Sequence, residues 1–169
     1  MFDTKFPLTP CGNTDCGGEG RVESRTGTSW HCTYMNELPL LNPPQCPECF
    51  GCGPDNPRGL QLEIYQDGTD AVATFQPDGG LSGYPDRMHG GIVGLLVDEM
   101  LVYAGAPHGI WGMTASVRYW VRKPIPLDAT LTLRSRLTQR SDRGFRATVA
   151  IHLPDEVLAA EGEGLCVLR

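Results

Sequence analysis

No run of about 20 consecutive apolar residues occurs in this 169-residue chain, so no segment reads as a membrane span. The opening residues, MFDTKFPLTP, lack the apolar core of a secretory signal. This predicts a cytoplasmic protein, in a compartment where disulfides are rare. No Gly-x-Ser-x-Gly sequence is present, which excludes the nucleophile elbow of a serine hydrolase. Basic residues are in the minority, 14 Lys and Arg against 20 Asp and Glu, for a net charge of −6. That balance argues against nucleic acid or an anionic membrane as the main partner.

What is present is the composition of a globular chain, 40% apolar and 20% charged. The length suits one domain, or one domain with a small appendage. Charge is distributed unevenly. Between Pro107 and Arg146 there are eight bases (Arg118, Arg122, Lys123, Arg134, Arg136, Arg140, Arg143 and Arg146) against two acids. A locally basic wall on an acidic protein suits a small anionic ligand better than a polyanion; the alternative reading is solvated strand faces.

Six of the seven cysteines lie before residue 53, in a segment rich in Gly and Pro. This segment has too few apolar residues for a core of its own. It needs a metal, or it needs to lie on the domain that follows. Gly20–Ser24 and Thr28–Thr33 read as two short strands, and Leu38–Gln45 as an extended linker because of its prolines. A structural zinc is expected on two ligand pairs, a tight one of Cys46 with Cys49 and a looser one of Cys11 with Cys16, with Cys32 as an alternative ligand. An iron–sulfur cluster on Cys46, Cys49 and Cys52 is the second reading, and free buried thiols the third. Four protein ligands would leave zinc no open position for chemistry.

The chain is organised around Met88–Ala106, MHGGIVGLLVDEMLVYAGA. His89, Gly90 and Gly91 make a sharp entry, and apolar residues then fill nearly every position from Ile92 to Ala106. A helix apolar all round is buried. Its only charges are the adjacent carboxylates Asp98 and Glu99. A buried carboxylate is unfavourable unless it is paired or used, so this pair is the strongest functional signal in the sequence. Pro107 and Gly109 end the helix.

Around it lie strand patterns. Leu60, Leu62 and Ile64 alternate with polar residues, Asp67-Gly68 turns the chain, and Ala71–Phe75 alternates again. Asp78–Arg87 reads as a loop. Four runs follow the helix: Gly112–Arg122, Ala129–Thr138, Gly144–Leu153 and Val157–Val167. Two strands, one long buried helix and four strands predict an α+β domain whose antiparallel sheet wraps the helix. The expected division is a Cys-rich extension over 1–48 and this domain over 49–169.

Three stretches resemble the hotdog-fold acyl-CoA thioesterases of the phenylacetic-acid-pathway type: Cys49–Leu62, His89–Glu99 and Thr114–Leu131. The resemblance covers about two thirds of the chain and leaves the Cys-rich front end outside. It implies hydrolysis of an acyl-CoA without a catalytic metal, in a dimer or a dimer of dimers. It also implies that the working carboxylate lies nine residues after His89, at Asp98, and acts on a thioester held at the helix tip of the partner subunit. Asp98 would serve as general base or as nucleophile. The Gly91 N–H, with Gly90, would polarise the thioester carbonyl, because a helix N-terminus favours negative charge. His89 would hold the turn or hydrogen-bond near the thioester, and Thr114 would position the water. Glu99, Arg122 and Lys123 are candidates for binding substrate, the last two through the CoA phosphates or else as plain turn charges. Tyr103, Trp111, Tyr119 and Trp120 line an acyl pocket or belong to the core. The rival readings are a non-catalytic acyl-CoA binder, a hotdog hydratase or dehydratase, and a front end that contacts another protein.

Overall fold

The computed structural model describes residues 37–43 and 45–168. The expected strands at Gly20–Ser24 and Thr28–Thr33 lie outside the described residues, as do Cys11, Cys16 and Cys32.

Alternation of apolar and polar residues produces the strands in the predicted places. They are β1 (Ile64–Asp67), β2 (Asp70–Phe75), β5 (Gly112–Val121), β6 (Leu131–Ser141), β7 (Gly144–Leu153) and β8 (Val157–Leu168). They form one antiparallel sheet in the order β1-β2-β6-β7-β8-β5. The inward face of β6 carries Leu131, Leu133 and Ser135, all buried, as its alternation requires. The predicted loop over Asp78–Arg87 holds a small two-stranded sheet, β3 (Ser82–Tyr84) and β4 (Arg87–Met88). Strands of two or three residues are too short to leave a periodic signature. Leu60 and Leu62 alternate without joining the ladder. Their N–H groups donate instead to Phe50 O (2.8 Å) and Gly51 O (3.0 Å), in the cysteine-rich loop.

The single long helix, α1 (Gly90–Tyr103), crosses the sheet and touches β5, β6, β7, β8 and β2. No residue from Ile92 to Tyr103 is exposed. Two glycines on β8 bring the helix close. A Cβ on Gly162 would lie 2.4 Å from Val97 Cγ1, and one on Gly164 2.6 Å from Leu101 Cδ1. The apolar run Gly90–His108 has a mean hydropathy of 1.2, enough by composition for a membrane span. The helix proper, at 14 residues, is only about 21 Å long, against a hydrocarbon core of about 30 Å. Pro107 falls in a 3₁₀ turn (Ala106–His108), and Gly109, at φ 68°, closes it, as the sequence implies.

The segment expected to be a linker is extended and lies along β1. Leu41 N–H donates to Ile64 O (2.7 Å), and Gln66 N–H to Pro39 O (2.8 Å). Asn42 donates to Cys52 O (3.0 Å) and Leu62 O (2.7 Å) and accepts from Ile64 N–H (2.8 Å). One side chain thus ties the strap, the cysteine loop and the sheet together.

Two of the eight bases serve the fold. Asp70, 3% exposed, accepts from Arg134 Nη1 (2.9 Å) and from Arg136 Nε and Nη2 (2.7 Å each), and Arg134 also reaches Asp67. Burial pushes the Asp70 carboxyl upward, but the guanidiniums of Arg136 and Arg134 outweigh it and hold it below the ordinary aspartate range. The folded chain therefore binds this proton more weakly than the unfolded chain does. The stabilisation is complete above the unfolded value of about 3.9 and is lost as pH falls through the lower folded value. Asp70→Asn, which removes the buried carboxylate shared by Arg134 and Arg136, is expected to lower stability by about 3 kcal/mol in urea at neutral pH. The difference from the parent protein should narrow below about pH 4.

Candidate active site

The first turn of α1 is held from three sides. His89 is its N-cap, and the His89 Nδ1 accepts the Gly91 N–H at 2.9 Å. The ring proton therefore sits on Nε2. The His89 N–H donates to Leu81 O (2.8 Å), and the preceding Met88 N–H to Ile125 O (2.9 Å). Tyr119 OH donates to Gly90 O (3.3 Å), and a Cβ on Gly94 would meet the Tyr119 ring at 2.9 Å. His89, Gly90 and Gly91 are exposed. In this single chain the Gly91 N–H is thus taken by its own cap.

Seven residues further on, Asp98 is half-buried. It lines an open cleft of about 1250 Å³ between the middle of α1, the near half of β5 and the loop that carries Cys46, Cys49 and Cys52. Among the described residues, no Lys, Arg or His pairs with the Asp98 carboxylate and no side chain donates to it. Thr114 lies on the cleft wall. Its Oγ1 is buried, finds no nitrogen or oxygen partner and faces the Cys166 thiol opposite it in the β5–β8 register. That thiol is pushed upward by burial, opposed by the Thr114 hydroxyl and reinforced by the negative charge of Asp98. The β5–β8 register slips between Thr114 and Ser116, so Ala115 forms a bulge in the cleft wall. Bulges of this kind re-aim side chains beside functional sites.

Glu99 also lines the cleft but points elsewhere. Adjacent positions on a helix diverge by about 100°. Asp98 shares the cleft lining with Thr114 and its charge acts on Cys166, whereas the Glu99 carboxylate faces the cysteine loop. Cys49 Sγ lies 3.8 Å from Glu99 Oε1, and the Sγ atoms of Cys49 and Cys52 and a Glu99 oxygen all fall within 4.8 Å of one another. Burial raises the Glu99 carboxyl, Cys52 and Cys49 lower it by donating, and Asp98 raises it further. Tyr103 OH donates to Cys52 Sγ (3.1 Å). Burial drives both the Cys52 thiol and the Tyr103 hydroxyl far above their ordinary ranges.

The other predicted residues are more scattered. Arg122 is committed to Glu161 through Nε (2.9 Å) and Nη2, with its guanidinium 5.6 Å from the Trp120 ring centre. Lys123 is exposed beside it. Tyr103 and Trp111 meet edge to face at 5.3 Å on the cleft wall, while Tyr119 belongs to the helix tip. Cys46 is exposed on the cleft rim. Tyr103, read as a pocket or core aromatic, lines the cleft and adds a bond to Cys52. Cys52, read as a cluster ligand or a buried thiol, is buried beside Glu99. Asn42 is the residue that sequence reasoning missed, and no local signal marks it.

No protein-family model matches the sequence. The bovine (Bos taurus) acyl-coenzyme A thioesterase THEM4 is 26% identical over 123 residues, 71% of this chain and 51% of its own length. The chain therefore spans about half the length of that relative. A crystal structure of a thioesterase superfamily protein superposes with a TM-score of 0.67 at 28% identity, over 71% of this chain and 60% of the other. The E. coli PaaI protein of the phenylacetic acid degradation operon gives a TM-score of 0.60 at 19% identity, over 65% of this chain and 80% of its own. The sheet wrapped on one helix is the hotdog fold of these thioesterase-superfamily neighbours.

The geometry of the cysteine loop is testable by a single methyl group. A Cβ on Gly53 would lie 2.4 Å from both Cys49 N and Pro47 O, atoms of the backbone that cannot step aside. Gly53→Ala is expected to destabilise the protein by about 2 kcal/mol, read by denaturant unfolding. It should also make the buried Cys52 react faster with a thiol reagent, read by peptide mass mapping.

Proposed function

We propose that the chain hydrolyses an acyl-CoA thioester to the free acid and CoA, with Asp98 as the group that activates the attack. The observation that carries this reading is an unpaired carboxylate, on a core helix, opening onto a cleft large enough for an acyl chain. The thioesterase-superfamily neighbours and the acyl-CoA thioesterase relative support the same chemistry. Asp98 takes a proton from a water that attacks the carbonyl carbon, or attacks it directly and forms a mixed anhydride that water then opens. In either case the C–S bond breaks and the CoA thiolate leaves. Thr114 orders the water. Lys123 meets the CoA phosphates, since Arg122 is engaged by Glu161.

The oxyanion donor belongs to a second copy. Gly91 and Asp98 are separated by about 10 Å along one helix, too far to serve one carbonyl. The helix tip is also absent from the lining of the Asp98 cleft. A partner that pairs its β5 with this β5 would merge the two sheets and bring its helix tip toward Asp98. The β5 edge supports this: among the described residues it is unpaired, and it exposes Met113, Val117, Tyr119, Trp120 and Val121. Long apolar edges without cover are pairing surfaces. In the complex the thioester carbonyl displaces the His89 Nδ1 from the Gly91 N–H, and that N–H then polarises the carbonyl together with the Gly90 N–H, a contribution of about 10²–10³ in rate.

Asp98→Asn is expected to lower kcat at least about 100-fold on a panel of acyl-CoAs, with the fold intact by circular dichroism. Survival of turnover in that variant rejects the assignment, and hydration of crotonyl-CoA by the parent protein would favour a hydratase instead. Label from H₂¹⁸O found in the Asp98 carboxylate after a single turnover marks the anhydride route. The paired change Met113→Glu and Val117→Glu should yield a monomer by light scattering and abolish turnover together.

A further inference from the structure

We infer that Cys49, Cys52 and Glu99 form a zinc site that fastens the cysteine loop to the core helix beside Asp98. This goes beyond the hydrolytic reading and does not depend on it. Two soft sulfur atoms and one hard oxygen converge within 4.8 Å, from two separate stretches of chain. Sulfur donors select zinc, copper(I) or iron–sulfur clusters, and a carboxylate in the set favours a divalent ion such as zinc. The loop has the form of a metal knuckle. Cys49 and Cys52 are separated by two residues and followed at once by Gly53. The Cys49 N–H donates to Cys46 O (3.2 Å) and the Gly53 N–H to Cys49 O (2.9 Å), which folds the three cysteines into consecutive tight turns.

A second observation points the same way. Glu99 is a carboxylate on a core helix that, among the described residues, no Lys, Arg or His neutralises. Among the described residues its only side-chain donors are the two thiols. The loop closes over it so tightly that a Cβ on Gly51 would lie 2.2 Å from Glu99 Oε2. Tyr103 OH donates to Cys52 Sγ (3.1 Å), as residues behind a metal-bound thiolate commonly do. The charge also balances. A dication entering the site displaces one proton from each thiol, so two thiolates, one carboxylate and Zn²⁺ carry the same net −1 as two thiols and a carboxylate. Solvent from the cleft supplies the fourth position.

The full chain, expressed in zinc-supplemented medium and dialysed against metal-free buffer, tests this by its metal content. Cys11, Cys16 and Cys32 are first changed together to Ser, which removes any zinc held by the front segment. That protein is expected to keep about one zinc per chain, with an absorption-edge spectrum showing sulfur near about 2.3 Å and oxygen near about 2.0 Å. Cys52→Ser and Glu99→Gln in that background should each lower the zinc at least fivefold. Cobalt reconstitution of the parent should give a thiolate charge-transfer band that weakens in Cys49→Ser and keeps its intensity in Glu99→Gln at high cobalt. Should either variant fail to fold, the spectrum of the unmodified site decides alone. A shell of four sulfurs, full zinc content in the Cys49→Ser, Cys52→Ser double variant, or a metal-free protein with Cys49 and Cys52 joined as a disulfide would each overturn the inference.

Discussion

Burial of α1 against the sheet sets the terms for every other feature. Gly162 and Gly164 let the helix lie against β8 at a distance that any side chain on those residues would prevent. A helix so enclosed cannot hydrate a carboxylate from all sides, yet it carries two in succession. The fold resolves the conflict differently for each. Asp98 looks into a cleft wide enough for water and ligand, while Glu99 is covered by a loop that offers it thiols. The divergence follows from helical geometry alone, because successive side chains leave the axis about 100° apart. One turn of helix thereby faces both an open cleft and the cysteine loop.

The same constraint explains how much of the molecule was legible in its sequence. A helix apolar at nearly every position must be wrapped, and alternation at period two around it must be the wrapper; those signals located α1 and the long strands to within a few residues. Asp98 stood out because a charge in such a helix is improbable without a use. Long-range pairing was not legible. Leu60 and Leu62 alternate like a strand, but their backbone partners lie in the cysteine loop, and no local pattern encodes a choice of partner. Asn42 in a proline-rich stretch resembles any polar loop residue until its three backbone partners are placed around it. The arginines divide in the same way. Arg134 and Arg136 are drawn inward by Asp70, which sits on a neighbouring strand far away in sequence.

The start and the middle of α1 offer unlike properties to the proposed chemistry. At its start, glycine, a histidine cap and the hydroxyl of Tyr119 fix the backbone in an exposed turn. At its middle, a half-buried carboxylate faces a bulged strand and a hydroxyl with no nitrogen or oxygen partner. A rigid rod keeps these two places at constant separation. Any reaction that draws on both must recruit them from different rods, and β5, with its uncovered edge, is where rods of two copies would be set side by side.

The grip of Asn42 bears on where this folding unit begins. Its amide satisfies the backbone at Cys52, Leu62 and Ile64 from a position upstream of the whole cysteine triplet. A shortened gene product opening at Cys46 would retain every residue of the sheet and of α1, yet leave those three main-chain groups bare. Unmet backbone groups of this kind invite neighbouring molecules to fill them, so such a truncation would be prone to clumping even though nothing catalytic had been cut away.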